Sequence, residues 1–149
     1  MQAYWAERAG ESKDIDAIYT IGMRGVHDSG LTGYSSTTDK VNGLTSIFKF
    51  QRQLIADSIA SYKGTTVDKI PQTFIPYKEV LDAYNAGLQV PEDVILCWVD
   101  DNHGYIRQLS NATEQKRPGG GGIYYHLSYY GSPHDYLWLS STSPSLISY

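Results

Sequence analysis

Apolar and polar positions along the chain follow a pattern that alternates between strand and helix. Runs rich in β-branched, aromatic and other apolar residues occupy 17–22, 71–76, 94–99 and 123–128. Runs of this length and composition predict β-strands. The run at 94–99 is apolar at every position, so we expect a strand that is buried on both faces of its sheet.

Two longer stretches have the spacing of amphipathic helices. Apolar residues recur at every third or fourth position between 41 and 62, and the same spacing occurs over a shorter length between 77 and 86. We expect Asp39 to cap the start of the first helix, and Gly64 and Gly87 to end the two helices.

The remaining segments carry weaker patterns. Glycine, serine and threonine are frequent at 25–40, which predicts a long loop. A short helix is predicted at 105–109, and the glycine-rich stretch 116–122 is predicted to be a flexible connector. Residues 135–149 fit either a short strand or a loop that leads into a helix.

The alternation of strands and helices predicts an α/β fold with a parallel sheet. Four strands are too few to close a barrel by themselves. We therefore expect about half of a (β/α)8 barrel of the TIM type, formed by a single segment over residues 1–149. The sequence shows neither an internal repeat nor a second domain boundary.

Composition disfavours several classes of function. The formal net charge is −4 and the isoelectric point is near 5.4, the opposite of what a nucleic-acid-binding protein needs. The longest apolar run, 94–99, is far shorter than the ~20 residues that cross a bilayer. Charged residues occupy the N-terminal stretch where a signal peptide would be apolar. The single cysteine, Cys97, excludes an internal disulfide and is expected to be a buried thiol.

Tyrosine is unusually frequent, with 13 residues against 3 phenylalanines. A tyrosine offers both an apolar ring and a hydroxyl group, which is the combination that a carbohydrate site needs. The alternative is that many of these rings are packed in the core with satisfied hydroxyl groups, and the sequence leaves the two interpretations equally open.

Polar clusters follow each predicted strand. Because the carboxyl ends of parallel strands face one cleft, we expect these side chains to meet there. The alternative is that Asp100 and Asp101 cap a helix and that Arg24 pairs with a carboxylate. The clusters, in chain order, are Arg24, His27 and Asp28; Tyr77 and Glu79; Asp100, Asp101, Asn102 and His103; and His126 and Tyr129.

Two separated carboxylates in such a cleft fit glycoside hydrolysis, in which one assists the leaving oxygen and the other activates water or attacks. Asp28 and Glu79 are the candidates, and an arginine beside them suits an anionic sugar. The sequence has no G-x-S-x-G motif and no P-loop. Asp28, Asp100, His103 and His126 have no metal-binding spacing, so no metal is expected.

Four stretches of the chain resemble glycoside hydrolase family 115, the α-glucuronidases that act on glucuronoxylan. They are YTIGMRGVHD (19–28), WVDDNHGYIR (98–107), GGIYYHLSYYG (121–131) and SPHDYLWL (132–139). The resemblance implies a (β/α)8 catalytic barrel with an N-terminal domain and C-terminal helical and β domains. On that basis the chain corresponds to the central part of the barrel, with the flanking domains absent.

The resemblance also implies roles for individual residues. Asp28 matches a proposed catalytic acid, and Glu79 matches the other catalytic carboxylate, taken as the base. In an inverting enzyme their carboxyl groups stand about 6.5–9.5 Å apart, and we expect at least that separation here. We also expect the fourth strand to end by about Ser128, with Tyr129 in the following loop. Substrate contacts are implied for Arg24, Asp100, Asn102, His126 and Tyr129.

These expectations describe an inverting α-glucuronidase that removes (4-O-methyl)glucuronic acid side groups from glucuronoxylan without a cofactor. The chain alone is expected to be inactive. Two alternatives stay open: a non-catalytic carbohydrate-binding protein, and a truncated fragment without independent activity. No nucleic-acid or membrane partner is expected, a homodimer of the full-length protein stays open, and its expected location is secreted or periplasmic.

Overall fold

The computed structural model describes residues 2–126 and 129–133, and only the backbone of Gln2, Asp28, Tyr129, Tyr130, Ser132 and Pro133. Short 3₁₀ or π turns at Val26–Asp28, Ala56–Ala60, Val67–Lys69 and Glu114–Lys116 separate the regular elements. Those elements are α1 (Gln2–Glu11), β1 (Tyr19–Ile21), α2 (Thr37–Ile55), β2 (Gln72–Phe74), α3 (Glu79–Asn85), β3 (Ile95–Val99), β4 (Gly121–Tyr124), β5 (Tyr129–Tyr130) and β6 (Ser132–Pro133).

The first four strands form one parallel sheet in the order β1-β2-β3-β4. Ile21 pairs with Phe74, and Phe74 pairs with Leu96, so the strands keep a common register. Helix α2 connects β1 to β2, and α3 connects β2 to β3. Parallel strands that are adjacent in both sequence and space, and that alternate with helices, form part of an α/β barrel, and this confirms the predicted fold class. Strands β5 and β6 make a separate antiparallel pair.

One face of the sheet carries the core. Phe74 packs edge-on against Phe48 of α2, with ring centroids 5.2 Å apart, and Tyr84 of α3 lies edge-on to Trp98 at 5.7 Å. On β3, Leu96 and Trp98 are buried, whereas the alternate residues are only half-buried. The prediction that this strand is buried on both faces is therefore wrong, because the helices in the described part of the chain cover one face of the sheet.

The predicted helices are present, with one different cap. Helix α2 begins after Ser36, whose hydroxyl accepts a hydrogen bond from the backbone N–H of Asp39 at 3.0 Å. Asp39 therefore lies in the first turn of the helix and is not its cap. Gly64 and Gly87, at φ of +63° and +103°, follow the ends of the two helical segments as predicted. Helix α1 has no counterpart among the predicted elements.

Two predictions between β3 and β4 are wrong. Residues 105–109 form no helix, because Ile106 makes an isolated antiparallel bridge with Asp100. The stretch 116–122 is not a free connector, because it is bonded to the loop between α3 and β3. The Arg117 guanidinium donates to the carbonyl of Val90, and the Gly119 N–H donates to the carbonyl of Glu92.

Strand β4 begins two residues before the predicted strand and ends at Tyr124. The prediction that regular strand ends by Ser128 is confirmed. Tyr129 lies in the short strand β5 and not in a loop, which corrects the second half of that prediction. The predicted tail at 135–149 lies outside the described residues. No helix in the described part of the chain is long and apolar enough to cross a membrane.

Candidate active site

A cavity of about 540 Å³ lies at the carboxyl ends of the four parallel strands. Each strand end contributes to its wall, as expected for a parallel sheet. Arg24 follows β1, Tyr77 and Lys78 follow β2, Asn102 follows β3, and His126 follows β4. The structure thus brings three of the predicted site residues together. Tyr77 is also among the polar side chains predicted to meet at this cleft, whereas Lys78, which directly precedes Glu79 in the sequence, is not.

Arg24 and Glu79 form a bidentate ion pair beside this cavity. The Nε and Nη2 atoms of Arg24 donate to the two carboxylate oxygens of Glu79, each at 3.2 Å. The backbone N–H of Leu31 donates to Oε1 of Glu79, also at 3.2 Å. Both charged side chains are largely buried, with 20% and 17% of their surface exposed. The pair joins the segment after β1 to the first turn of α3.

The surroundings of Glu79 hold its carboxyl group in the ionised form. Burial acts to raise the pKa of Glu79, but the hydrogen bonds and positive charge of Arg24 and the N–H of Leu31 outweigh it. The net result is a pKa below the usual 4.5. An ionised carboxylate at neutral pH can accept a proton or stabilise positive charge, and it cannot act as a general acid.

Two residues with strained backbones precede the two predicted catalytic carboxylates. His27, before Asp28, has φ 52° and ψ 49°, and Lys78, before Glu79, has φ 50° and ψ −123°. Positive φ in a residue other than glycine costs about 1–3 kcal/mol and persists only where the surrounding structure imposes it. Such strain concentrates at functional sites, so the two conformations mark both strand-end loops as candidates for function.

The loop that carries Asp28 is compact. The N–H of Gly25 donates to the carbonyl of Ser29 at 3.0 Å, and a Cβ atom at Gly25 would lie 2.3 Å from the carbonyl oxygen of Gly30. The Leu31 hydrogen bond anchors this loop to Glu79. The side chain of Asp28 lies outside the described atoms. Its role, and its expected separation from the Glu79 carboxyl group, therefore stay predictions.

Asp100 lies beneath His126. Its carboxylate is fully buried, accepts the backbone N–H of His126 at 3.1 Å, and lies 2.5 Å from the imidazole Nδ1. The ring of Tyr124 meets the imidazole edge-on at 5.2 Å. A carboxylate at this position keeps the proton on Nδ1 and fixes the plane of the ring. Asp100 thus does not line the cavity itself, but it orients His126, which does.

Asn102 connects three strand-end segments. The Tyr77 hydroxyl lies 3.5 Å from Oδ1 of Asn102 and donates to it. Nδ2 of Asn102 donates to the carbonyl of Gly131 at 3.3 Å, and the Gly131 N–H donates to the Asn102 carbonyl at 2.6 Å. Gly131 follows Tyr129 by two residues, so these bonds place the backbone of that predicted contact near the site; the Tyr129 side chain lies outside the described atoms.

The wall between the two carboxylate-bearing loops is cationic and aromatic. The guanidinium of Arg24 and the ammonium of Lys78 each lie about 5 Å from the centre of the Tyr77 ring, at 5.0 Å and 4.9 Å. A wall of this kind favours an anionic ligand with a ring. Among the side chains that the structure describes, His, Cys, Asp and Glu residues form no group that could hold a metal ion.

The chain is similar to a known protein family and to a solved structure from that family. The family model for glycosyl hydrolase family 115 matches residues 1–149. The chain is 50% identical to BtGH115A, described as a novel family GH115 4-O-methyl-alpha-glucuronidase with specificity for decorated arabinogalactans, with a TM-score of 0.86. The match covers 99% of this chain and 19% of that one, and no curated protein matches. The family match spans the whole chain, and the chain therefore belongs to glycoside hydrolase family 115.

Proposed function

We propose that this chain supplies part of the active site of an α-glucuronidase, which releases glucuronic acid or its 4-O-methyl ether from a decorated polysaccharide. The 50% identity to a 4-O-methyl-alpha-glucuronidase over 99% of the chain carries the proposal. The cavity supports it, because Arg24 and Lys78 line its wall, and the largely buried carboxylate of Glu79 lies beside it, paired with Arg24. The chain spans 19% of that relative, so the activity is proposed for the whole protein.

The ionised state of Glu79 suits the general base of an inverting mechanism. In that mechanism the base removes a proton from the water that attacks the anomeric carbon, while an acid protonates the leaving oxygen. We assign the first role to Glu79 and the second to Asp28. A base whose pKa lies below 4.5 is ionised across the neutral range but is intrinsically weak. Substrate that draws part of the Arg24 guanidinium away from Glu79 would strengthen the base.

The cations of the cavity wall are proposed to recognise the uronic-acid carboxylate. Arg24 and Lys78 are the two cationic residues in the wall that the structure describes. A guanidinium has five N–H donors in a planar fork, a geometry that suits recognition of a carboxylate. A neutral hexose in the same pocket lacks the carboxylate that this wall complements. We therefore propose that selectivity depends on the uronic acid more than on the polysaccharide backbone.

Two polysaccharides are candidate substrates. Glucuronoxylan is our first proposal, and a decorated arabinogalactan is the second, because BtGH115A is described as specific for that class. Both present the uronic acid as a side group, which a cavity of about 540 Å³ is large enough to accept.

The test is an assay of the whole protein that carries this segment. The protein is incubated with glucuronoxylan, with decorated arabinogalactan and with a xylan that bears only neutral side groups, and released sugars are separated by anion-exchange chromatography. We expect release of the uronic acid alone, first as the β-anomer in a proton NMR time course. Binding to either polysaccharide without any release would favour a non-catalytic carbohydrate-binding protein and contradict the proposal.

A further inference from the structure

The turn that follows β3 is organised by the carboxylate of Asp101. Its Oδ1 accepts the backbone N–H groups of His103 and Tyr105 at 2.9 Å and 3.0 Å. Its Oδ2 accepts Nε of Arg107 at 2.8 Å. The backbone of Asp101 adds two more bonds, from its N–H to the Tyr105 carbonyl at 2.9 Å and from the Gly104 N–H to its own carbonyl at 3.0 Å. Residues 101–107 are therefore fixed around one side chain.

Asn102 lies inside this turn and contacts the cavity. It is bonded to Tyr77 on one side and to Gly131 on the other. The three segments that it connects follow β2, β3 and β4, and each contributes to the cavity wall. The position of Asn102 therefore decides how these segments fit together, and the position of Asn102 depends on the turn.

Asp101 itself is not among the cavity-lining residues in the described part of the chain. Burial acts to raise the pKa of its carboxyl group, but the N–H groups of Tyr105 and His103 and the charge of Arg107 outweigh burial and lower that pKa. The carboxylate thus stays ionised through the neutral and mildly acidic range. Hydrogen bonds to a charged acceptor are stronger than neutral ones, so the turn has a rigid support.

We propose that Asp101 is a positioning residue of this active site, acting through Asn102 on the junction between the β3 turn and the Tyr129–Pro133 segment. The inference rests on the proposed glucuronidase activity for its catalytic consequence. It is distinct from a purely stabilising role, because it requires that the effect of Asp101 pass through one neighbouring residue, Asn102.

A double-mutant cycle in the whole protein tests this dependence. Asp101→Ala alone is expected to lower kcat/KM for uronic-acid release by about 10–100-fold, the scale of a misplacement of about 1 Å in an active site. In an Asn102→Ala background, Asp101→Ala is expected to lower kcat/KM by no more than about 3-fold, because the effects of substitutions at coupled residues do not add. Asp82→Ala, an exposed aspartate on α3, is the matched control and should leave kcat/KM unchanged. Equal losses in both backgrounds would overturn the inference.

Amide hydrogen exchange tests the coupling between Asp101 and Gly131 without an activity assay. Asp101→Ala should speed exchange in peptides that contain Gly131, and Asp101→Asn, which keeps an acceptor for the two turn N–H groups, should give an intermediate rate. Unchanged exchange near Gly131 with intact folding would overturn the inference. If the wild-type protein releases no uronic acid from any substrate, the proposed function fails, and the exchange result decides the coupling of Asp101 to Gly131 by itself.

Discussion

Arg24 and Glu79 are 55 residues apart in the sequence, yet two hydrogen bonds of 3.2 Å join the guanidinium of one to the carboxylate of the other. The ionisation of a residue on α3 is therefore controlled by a residue that follows β1. The same carboxylate also accepts the N–H of Leu31, so the loop between β1 and α2 contributes to its environment. The pKa of Glu79, and with it the pH dependence of the proposed reaction, therefore depends on contacts that only the folded chain makes.

Removal of the Arg24 guanidinium should change the pH profile of the whole protein. In Arg24→Ala the burial that raises the pKa of Glu79 is no longer opposed by a neighbouring cation, so that pKa rises. A base must be ionised to act, so the acidic limb of kcat/KM should move to higher pH. Initial rates of uronic-acid release between pH 3 and pH 8 measure this shift.

Arg24→Lys is the control for that profile, because lysine keeps the positive charge and loses the planar fork of donors. Its acidic limb should lie between those of the wild type and Arg24→Ala. An acidic limb that stays at the wild-type pH in Arg24→Ala would show that Glu79 is not the group that titrates.

The buried pair of Asp100 and His126 should act as one unit. Asp100→Asn removes the negative charge beside Nδ1 and so releases the tautomer and orientation of the imidazole. We expect kcat/KM to fall by about 10–100-fold, and a similar fall for His126→Ala. The double variant should be little worse than either single variant. Multiplied losses in the double variant would contradict a shared role, and the exposed Asp82→Asn is the control for the charge change.

Gly25 should tolerate no side chain. Its φ of −71° suits any residue, so space and not backbone conformation requires glycine here. A Cβ atom would lie 2.3 Å from the Gly30 carbonyl oxygen, so Gly25→Ala must displace the loop that carries Asp28 and contacts Glu79. We expect a loss of kcat of at least about 10-fold. Gly10→Ala, in α1 with nothing within 4 Å of the new atom, is the control and should keep full activity.

Much of the fold follows from local patterns. Strands β1 to β3 and helices α2 and α3 lie where apolar runs and glycine or proline boundaries predict them, because burial of those apolar side chains drives the packing. The cap of α2 differs because serine and aspartate are both good caps, and only the structure shows that the Ser36 hydroxyl reaches the Asp39 N–H. The predicted helix at 105–109 fails because a side chain outside it, Asp101, holds the turn before it.

The sequence predicts which residues lie at the site, but not which of them contact one another. The parallel topology brings the strand ends together, so Arg24, Asn102 and His126 could be expected at one cavity. That Arg24 pairs with a carboxylate is one of the alternatives that the sequence leaves open, but its partner Glu79 could not be predicted, because a contact across 55 residues depends on the exact register of strands and helix. The sequence likewise does not show that Asp100 is buried beneath His126. Asp100 and Asp101 are adjacent and chemically identical, and only the backbone conformation determines which of the two side chains is buried.

The role of Glu79 as general base is tested most directly by the turnover of Glu79→Gln in the whole protein. Glutamine keeps the size of the side chain and removes the ionised carboxylate, so a general base is lost while the cavity keeps its shape. We predict that kcat for uronic-acid release falls by about 10²–10⁴-fold, whereas Glu7→Gln, the same change at an exposed position of α1, leaves it unaltered. A folded Glu79→Gln protein with near wild-type kcat would contradict the assignment of this cavity as the catalytic site and of Glu79 as its base.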